Sequence, residues 1–345
     1  MPIPLGVWDI DPGTHLQLSA DDEHRVASRD LGHGIMNYLS PTFHPASPEA
    51  GAISHLFVVT LVVCAIIFAL VVGLIFYSLM RFRWQEGKSE PKQLAGNKTI
   101  EIVWTVIPLF IVAMLFAMTA RTMGLSDPPP APNPDLVMVG HQWWWEAKYP
   151  QSGVKTANEI HIPVGKAISV ELQSADVLHE FWVPELARKM TTVPGHPNHI
   201  WLQADKAGTY LGVCSEFCGT QHAWMRFLVV AEDASSFDRW QRHQSAPSLP
   251  VVDGAAARGL AIFKQMTCAS CHAIGGTGME ARIGPDLTHF ASRKQIGAGA
   301  VENTPENLRR WLTNPQDVKP GVQMPNFKFR ADQLSDLVAY FGTLK

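Results

Sequence analysis

Two stretches of this chain carry no charged side chain: residues 56–80 (LFVVTLVVCAIIFALVVGLIFYSLM), over 25 positions, and residues 102–120 (IVWTVIPLFIVAMLFAMTA), over 19. About 20 apolar residues in a helix are enough to cross the hydrocarbon of a bilayer. A soluble core helix is rarely apolar all round, and two such runs joined by a short charged loop predict a transmembrane hairpin. The first run begins too far from Met1, and is too long, for a cleavable signal peptide.

Charge sets the orientation. The connecting loop holds Arg81, Arg83, Lys88, Lys92 and Lys98, whereas the chain before the first run holds only Arg25 and Arg29. The positive-inside rule puts the loop in the cytoplasm and both termini outside, so everything after Arg121 is expected in the periplasm or its equivalent. Idle thiols there would be oxidised, which makes the cysteines informative. A net charge of −3 with no basic cluster argues against a nucleic-acid partner.

Beyond the hairpin, SDPPPAPNP (126–134) has five prolines in nine residues and reads as a stiff spacer lifting a domain off the membrane. Short β-branched and aromatic runs follow, in DLVMVGHQWWWEAKY, NEIHIPVG, KAISVELQSA, HIWLQAD, GTYLGVCS and MRFLVVAED; they predict an antiparallel sandwich or barrel. A second spacer, HQSAPSLPVVDGA (243–255), precedes helical texture at 256–266 and 332–344, where Leu334, Leu337, Val338 and Phe341 share one face. The expected organisation is an N-terminal periplasmic segment (1–52), a membrane hairpin (53–125), a β-sandwich (126–242), a linker (243–255) and an all-α domain (256–345).

The densest chemistry lies in CSEFCGTQHAWM (214–225). Cys218, His222 and Met225 offer a thiolate, an imidazole and a thioether, and His179 in DVLHEFWVPEL is a candidate fourth ligand. His₂Cys sites with a weak Met are electron-transfer copper sites. Cys214 adds a second thiolate, and two thiolates can bridge two copper ions, sharing one electron over both. A Cys₂His₂ zinc site and a Cys214–Cys218 disulfide are the alternatives; zinc has no use for Met225, and a disulfide leaves the histidines unexplained.

Together with GHQWWWEAKY and KMTTVPG, these motifs closely resemble subunit II of the haem–copper cytochrome c oxidases, over about residues 53–235. The resemblance implies a cupredoxin-like sandwich holding a binuclear copper centre, CuA. Cys214 and Cys218 would bridge the two copper ions, His179 and His222 would each bind one, Met225 would be a weak ligand and Glu216 would bind through its backbone carbonyl. It also implies that the Glu216 side chain helps hold magnesium at the contact with subunit I, that electrons enter at Trp143, and that Glu101 lies at the mouth of a proton channel. Taken alone, Trp143 could equally serve packing and Glu101 could be a solvated end charge. The family usually has Trp-Tyr-Trp where this chain has Trp144, and often an aspartate where it has Thr191.

CASCH (268–272) is the c-type haem attachment sequence: Cys268 and Cys271 add to the vinyl groups and His272 becomes an axial ligand. A thioredoxin-like pair is the alternative, without the βαβ pattern it needs. Met324 in GVQMPNF is the candidate sixth ligand and Met279 a weaker one. This tail resembles class I cytochromes c, which implies that the Pro285 carbonyl accepts from the axial histidine and that the first and last helices cross at Gly259, Phe263 and Tyr340. Cys64 reads as a small packing residue of the first span, and His161, His196, His199 and His289 have no nameable partner.

The whole chain resembles a fused, caa-type oxidase subunit II: a multidomain membrane protein passing electrons from haem c to CuA and on to subunit I, where oxygen is reduced with proton pumping. The implied partners are subunit I, subunit III, an upstream cytochrome c or other donor, and a bacterial inner membrane. A copper-containing nitric oxide reductase subunit and a membrane-anchored redox carrier are the rival functions. Quinol oxidases are argued against because their subunit II lacks the copper cysteines.

Overall fold

The computed structural model describes residues 43–84, 86–87, 95–126 and 129–345. Most of the expected N-terminal segment, with Arg25 and Arg29, lies outside the described residues, as do Lys88, Lys92 and Asp127-Pro128 of the first spacer.

Helix α1 spans Pro48–Arg81 and α2 spans Lys98–Ser126. α1 starts ahead of the expected residue 53 because Ser47 caps it. The Ser47 hydroxyl accepts from the Ala50 amide at 3.0 Å, Pro48 occupies the first turn where no N–H is needed, and Glu49 faces the positive end of the helix dipole. No residue in the apolar window of either helix is buried, as suits lipid-facing surfaces, and the two helices pack on each other. Cys64 is exposed on α1 rather than packed within the hairpin.

The sandwich rests directly on the hairpin's end. Ser47 Oγ donates to the Leu186 carbonyl at 2.5 Å, the Arg188 amide donates to Glu49 at 3.0 Å, and Arg188 Nε donates to the Ser126 carbonyl at 3.0 Å. The Pro129 carbonyl accepts from Trp201 Nε1 at 3.2 Å, which ties this proline to the sandwich.

Ten strands follow: β1 Leu136–His141, β2 Trp144–Tyr149, β3 Val154–Ala157, β4 Glu159–Pro163, β5 Ile168–Ser174, β6 His179–Trp182, β7 Met190–Thr192, β8 Asn198–Leu202, β9 Gly208–Cys214 and β10 Arg226–Glu232. They form two five-stranded sheets, β3-β2-β1-β5-β8 and β4-β10-β9-β6-β7. The pairing is mixed: β1–β5 and β4–β10 run parallel, the rest antiparallel. Along β2 every second residue is buried, the period of a strand with one face on a core. Trp145 sits at the centre, edge-on to Phe181 and Phe227 with centroids 5.9 and 5.6 Å away, among fully buried Leu136, Met138 and Ile160.

β4 breaks the alternation, being buried at all five positions. Its outer face is covered by α3 (Ala234–Gln244), whose Trp240 stacks on His161 at 4.2 Å, and by the C-terminal domain, whose Lys294 amide donates to Glu159 at 2.9 Å. His161 also lies 2.7 Å from Glu232, so this histidine is a paired structural residue.

The C-terminal domain is built on α4 (Gly254–Gln265), α5 (Pro305–Thr313) and α6 (Ala331–Phe341). α4 and α6 cross where Gly259 meets the backbone of α6: a Cβ there would lie 2.1 Å from the Asp336 carbonyl oxygen and 2.7 Å from Tyr340 Cβ. Phe263, Leu337, Tyr340 and Phe341 fill the crossing, with Phe290 and Trp311 below. The linker is not a free leash. Ser248 donates to the Gly275 carbonyl from both its amide and its hydroxyl, and His289 bridges the Ala246 and Lys345 carbonyls at 3.0 and 2.6 Å.

Candidate functional site

β9 ends at Cys214, and the turn to β10 carries Glu216, Cys218 and His222, the last in a single helical turn. β6 brings His179 from the same sheet, paired beside β9 at Phe181–Cys214. Strand pairing therefore converges residues 35 apart in sequence. The Cys214 and Cys218 sulfurs are 3.8 Å apart and unbonded. His179 Nδ1 is 4.0 Å from the Cys214 sulfur, His222 Nδ1 is 3.8 Å from the Cys218 sulfur, and Met225 Sδ is 3.9 Å from Cys218. The Glu216 carbonyl oxygen lies 3.3 Å from Cys214, while the glutamate side chain is half-buried.

Each thiol thus has its own imidazole, and a weak oxygen or sulfur donor stands on either side. Cys214, Cys218, His179 and Met225 are all buried. The contact with Cys218 brings the Cys214 thiol down to about 4, and the same contact, with burial, pushes Cys218 up. Burial opposes charge on His179, but Cys214 and Asp176 outweigh it and leave it raised.

Asp176 was not anticipated. Its carboxylate lies 2.8 Å from His179 Nε2, and this orients the ring so that Nδ1 faces the sulfurs. Gly140, on β1, makes the room: a Cβ there would stand 2.7 Å from His179 Cδ2.

The triple-Trp run separates into three roles. Trp145 is core. Trp144 stacks on His141 at 4.2 Å. Trp143 lies beside the Cys214–Met225 loop, donating its indole N–H to the Cys218 carbonyl at 3.0 Å, and Gln142 Nε2 donates to the same oxygen at 2.7 Å.

Trp143 and Trp144 also line a cavity of about 310 Å³ whose other walls come from the C-terminal domain: Cys268, Cys271, His272, Phe263, Trp311 and Met324 among them. His272 Nδ1 is 2.8 Å from the Pro285 carbonyl, an oxygen that can only accept, so Nδ1 carries the proton and Nε2 is left to bind a metal. Burial lowers the His272 pKa, which keeps the ring neutral for that task. Met324 Sδ accepts from Trp311 Nε1 at 3.2 Å, a bond that fixes the thioether at the cavity wall. Met279 pairs with Ile274 in a two-residue strand and is not among the lining residues.

Glu101 lies in the first turn of α2, at the loop end of the span and exposed. Thr191 Oγ1 is 3.4 Å from Glu180.

Three family models match the chain: "Cytochrome C oxidase subunit II, transmembrane domain" over 40–120, "Cytochrome C oxidase subunit II, periplasmic domain" over 151–232, and "Cytochrome c" over 256–345. Cytochrome c oxidase subunit 2 of Alkalihalophilus pseudofirmus is 37% identical over 309 residues, 87% of this chain and 90% of that one. The Bacillus subtilis protein of the same name is 32% identical, over 88% of this chain and 91% of its own length. Among solved structures, the periplasmic domain of subunit II of cytochrome oxidase (CoxB) of Bradyrhizobium japonicum is similar at 30% identity. It covers 33% of this chain and 95% of that one, with a TM-score of 0.32.

Proposed function

This chain belongs to the cytochrome c oxidase subunit II family, and from that premise we propose that it is the electron-entry subunit of a caa-type oxidase. It takes electrons onto its own cytochrome c domain and hands them through the copper loop to subunit I. The observation that carries this reading is a shared residue. Trp143 lines the pocket that the haem-attachment cysteines open into, and its indole nitrogen is bonded to the carbonyl of Cys218.

The residues fit the two groups the family implies. For copper, Cys214 and Cys218 would bridge two ions, with His179 on one and His222 on the other, and Met225 and the Glu216 carbonyl as weak ligands. Two imidazoles at separate sulfurs suit two ions better than one tetrahedral zinc, which would leave Met225 and the Glu216 carbonyl idle. For haem, Cys268 and Cys271 would make the thioether bonds, with His272 and Met324 as the axial pair. Copper and haem supply reversible one-electron chemistry when bound.

The chain's own residues do the rest. Asp176 holds the His179 tautomer, Pro285 holds that of His272, and burial excludes water, so little reorganises when charge moves. Glu101 would stand at the cytoplasmic mouth of a proton path, and the Glu216 carboxylate would help hold magnesium at the subunit I contact. Both soluble domains lie on the periplasmic side of the bacterial inner membrane, with subunit III and an upstream cytochrome completing the assembly.

Electron paramagnetic resonance of the copper-loaded protein tests the centre. The expected signal is one unpaired electron split by two equivalent copper nuclei, with two coppers per chain. A single-copper signal, or zinc in its place, would remove the assignment.

A further inference from the structure

Gln221 and Lys319 are 98 residues apart, one beside a copper ligand in the sandwich, the other in the C-terminal domain five positions before Met324. Both are polar, and both are almost wholly buried, at 1% and 2% exposure. Buried polar groups are costly unless bonded, so each must have partners.

The Gln221 carboxamide donates to the Lys319 carbonyl at 3.1 Å and to the Pro320 carbonyl at 2.7 Å. Lys319 Nζ donates to the Trp143 carbonyl at 3.1 Å. Trp143 in turn donates to the Cys218 carbonyl at 3.0 Å, which returns the path to the loop that carries Gln221. The four bonds close a ring through three segments: the copper loop, the Trp143 turn and the Lys-Pro-Gly stretch leading to Met324. Fit is close as well as polar. Gly321 has a φ of +86°, and a Cβ there would lie 3.0 Å from Thr220 Cγ2.

We propose that Gln221 and Lys319 form a polar clamp that locks the cytochrome c domain onto the copper loop and thereby sets the spacing across which electrons pass. Neither side chain is a ligand of haem or copper, so both are positioning residues. The inference rests on the electron order proposed above and deepens it.

The physics favours a specific latch over a merely adhesive surface. An apolar contact tolerates sliding, whereas directed bonds to buried carbonyls are satisfied in one register only. Lys319 strengthens that selectivity at a cost. Among the described residues no carboxylate forms a salt bridge with it, and burial brings its ammonium down to about 7, with Arg226 acting in the same direction. A lysine kept dry on a backbone carbonyl is stable only while the surrounding contacts are complete. Partial undocking therefore wets it and loosens the whole ring together.

The test uses the assembled oxidase with both cofactors in place. A photoreductant reduces haem c in a flash, and the haem and copper absorption bands are followed separately. The wild type is expected to pass its electron in one fast phase that ignores added viscogen. Lys319→Met and Gln221→Leu keep the side-chain bulk but remove the donors. Each is expected to weaken docking about tenfold, seen as a second, slower phase that scales with viscosity, with an unchanged copper signal and haem potential. Hydrogen exchange at 140–144 and 318–323 should rise together in both variants.

One fast phase in both variants with unchanged exchange would overturn the clamp. So would a variant whose copper signal collapses while exchange at 318–323 stays protected, because the residue would then be serving the loop alone. A wild type in which haem c never reduces copper would overturn the electron order instead.

Discussion

Replacing Gly140 by alanine should disable the copper site with little chemistry removed. The new Cβ would sit 2.7 Å from His179 Cδ2, 3.0 Å from Cγ and 3.3 Å from Cβ, all well inside contact distance. Neither side can retreat. Gly140 is paired to Trp145 on one side and to Ser174 on the other, and His179 is fully buried and tied to Asp176. Overpacking of this kind costs about 1–3 kcal/mol, and loss of glycine's backbone freedom returns roughly 0.5–1 kcal/mol. The net destabilisation is then roughly 0–2.5 kcal/mol, with a central value near 1 kcal/mol that lowers the Tm of a domain of this size by about 4–8 °C. Copper binding should suffer more than folding, because the ring that must give way is a ligand. The assay pairs thermal unfolding of the metal-free protein with copper titration followed by electron paramagnetic resonance. Gly208→Ala is the control, since its nearest neighbour would be 3.7 Å away. If Gly140→Ala binds two coppers with the wild-type signal and an unaltered Tm, the steric argument is wrong.

Three further outcomes are expected. Asp176→Asn keeps the shape but not the charge at His179 Nε2, and should lower copper affinity about 10–100-fold in a competition titration with a chelator. Met324→Ala should leave haem covalently attached but lower its potential in a redox titration and admit carbon monoxide, whereas Met279→Ala should do neither. Glu101→Ala should slow proton-coupled turnover while the flash-induced transfer from haem c to copper keeps its rate; equal slowing of both would refute its place at a proton path.

How far the sequence could be read depended on whether the information was local. CSEFCGTQHAWM and CASCH name their chemistry by residue type at short spacing, and two uncharged runs name a membrane. His179 enters as a candidate fourth ligand only because the cysteine loop calls for one from a distant strand; a histidine 35 residues upstream of Cys214 has nothing local to mark it. Asp176 was invisible for the same reason: an aspartate three residues before a histidine is common. β6 and β7 escaped notice because HEFW and MTT are short and flanked by proline or charge. The parallel pairings of β1 with β5 and β4 with β10 depend on the order in which strands return to a sheet, which alternation along one strand does not encode. The three tryptophans of the WWW run look alike in sequence, and only packing divides them. Gln221 and Lys319 offered no signal at all, since their meaning lies in a contact spanning 98 positions.

The division of ligands between the two soluble domains has a consequence for how the protein is made. Every side chain that would hold haem, from Cys268 to Met324, belongs to the last domain, and every side chain that would hold copper, from His179 to Met225, belongs to the sandwich. No ligand is shared, even though Trp143 and Trp144 complete the wall of the haem cavity. Thioether attachment would therefore take no ligand from the sandwich, and metallation none from the last domain. The two loadings would then be independent in their ligands, whichever comes first.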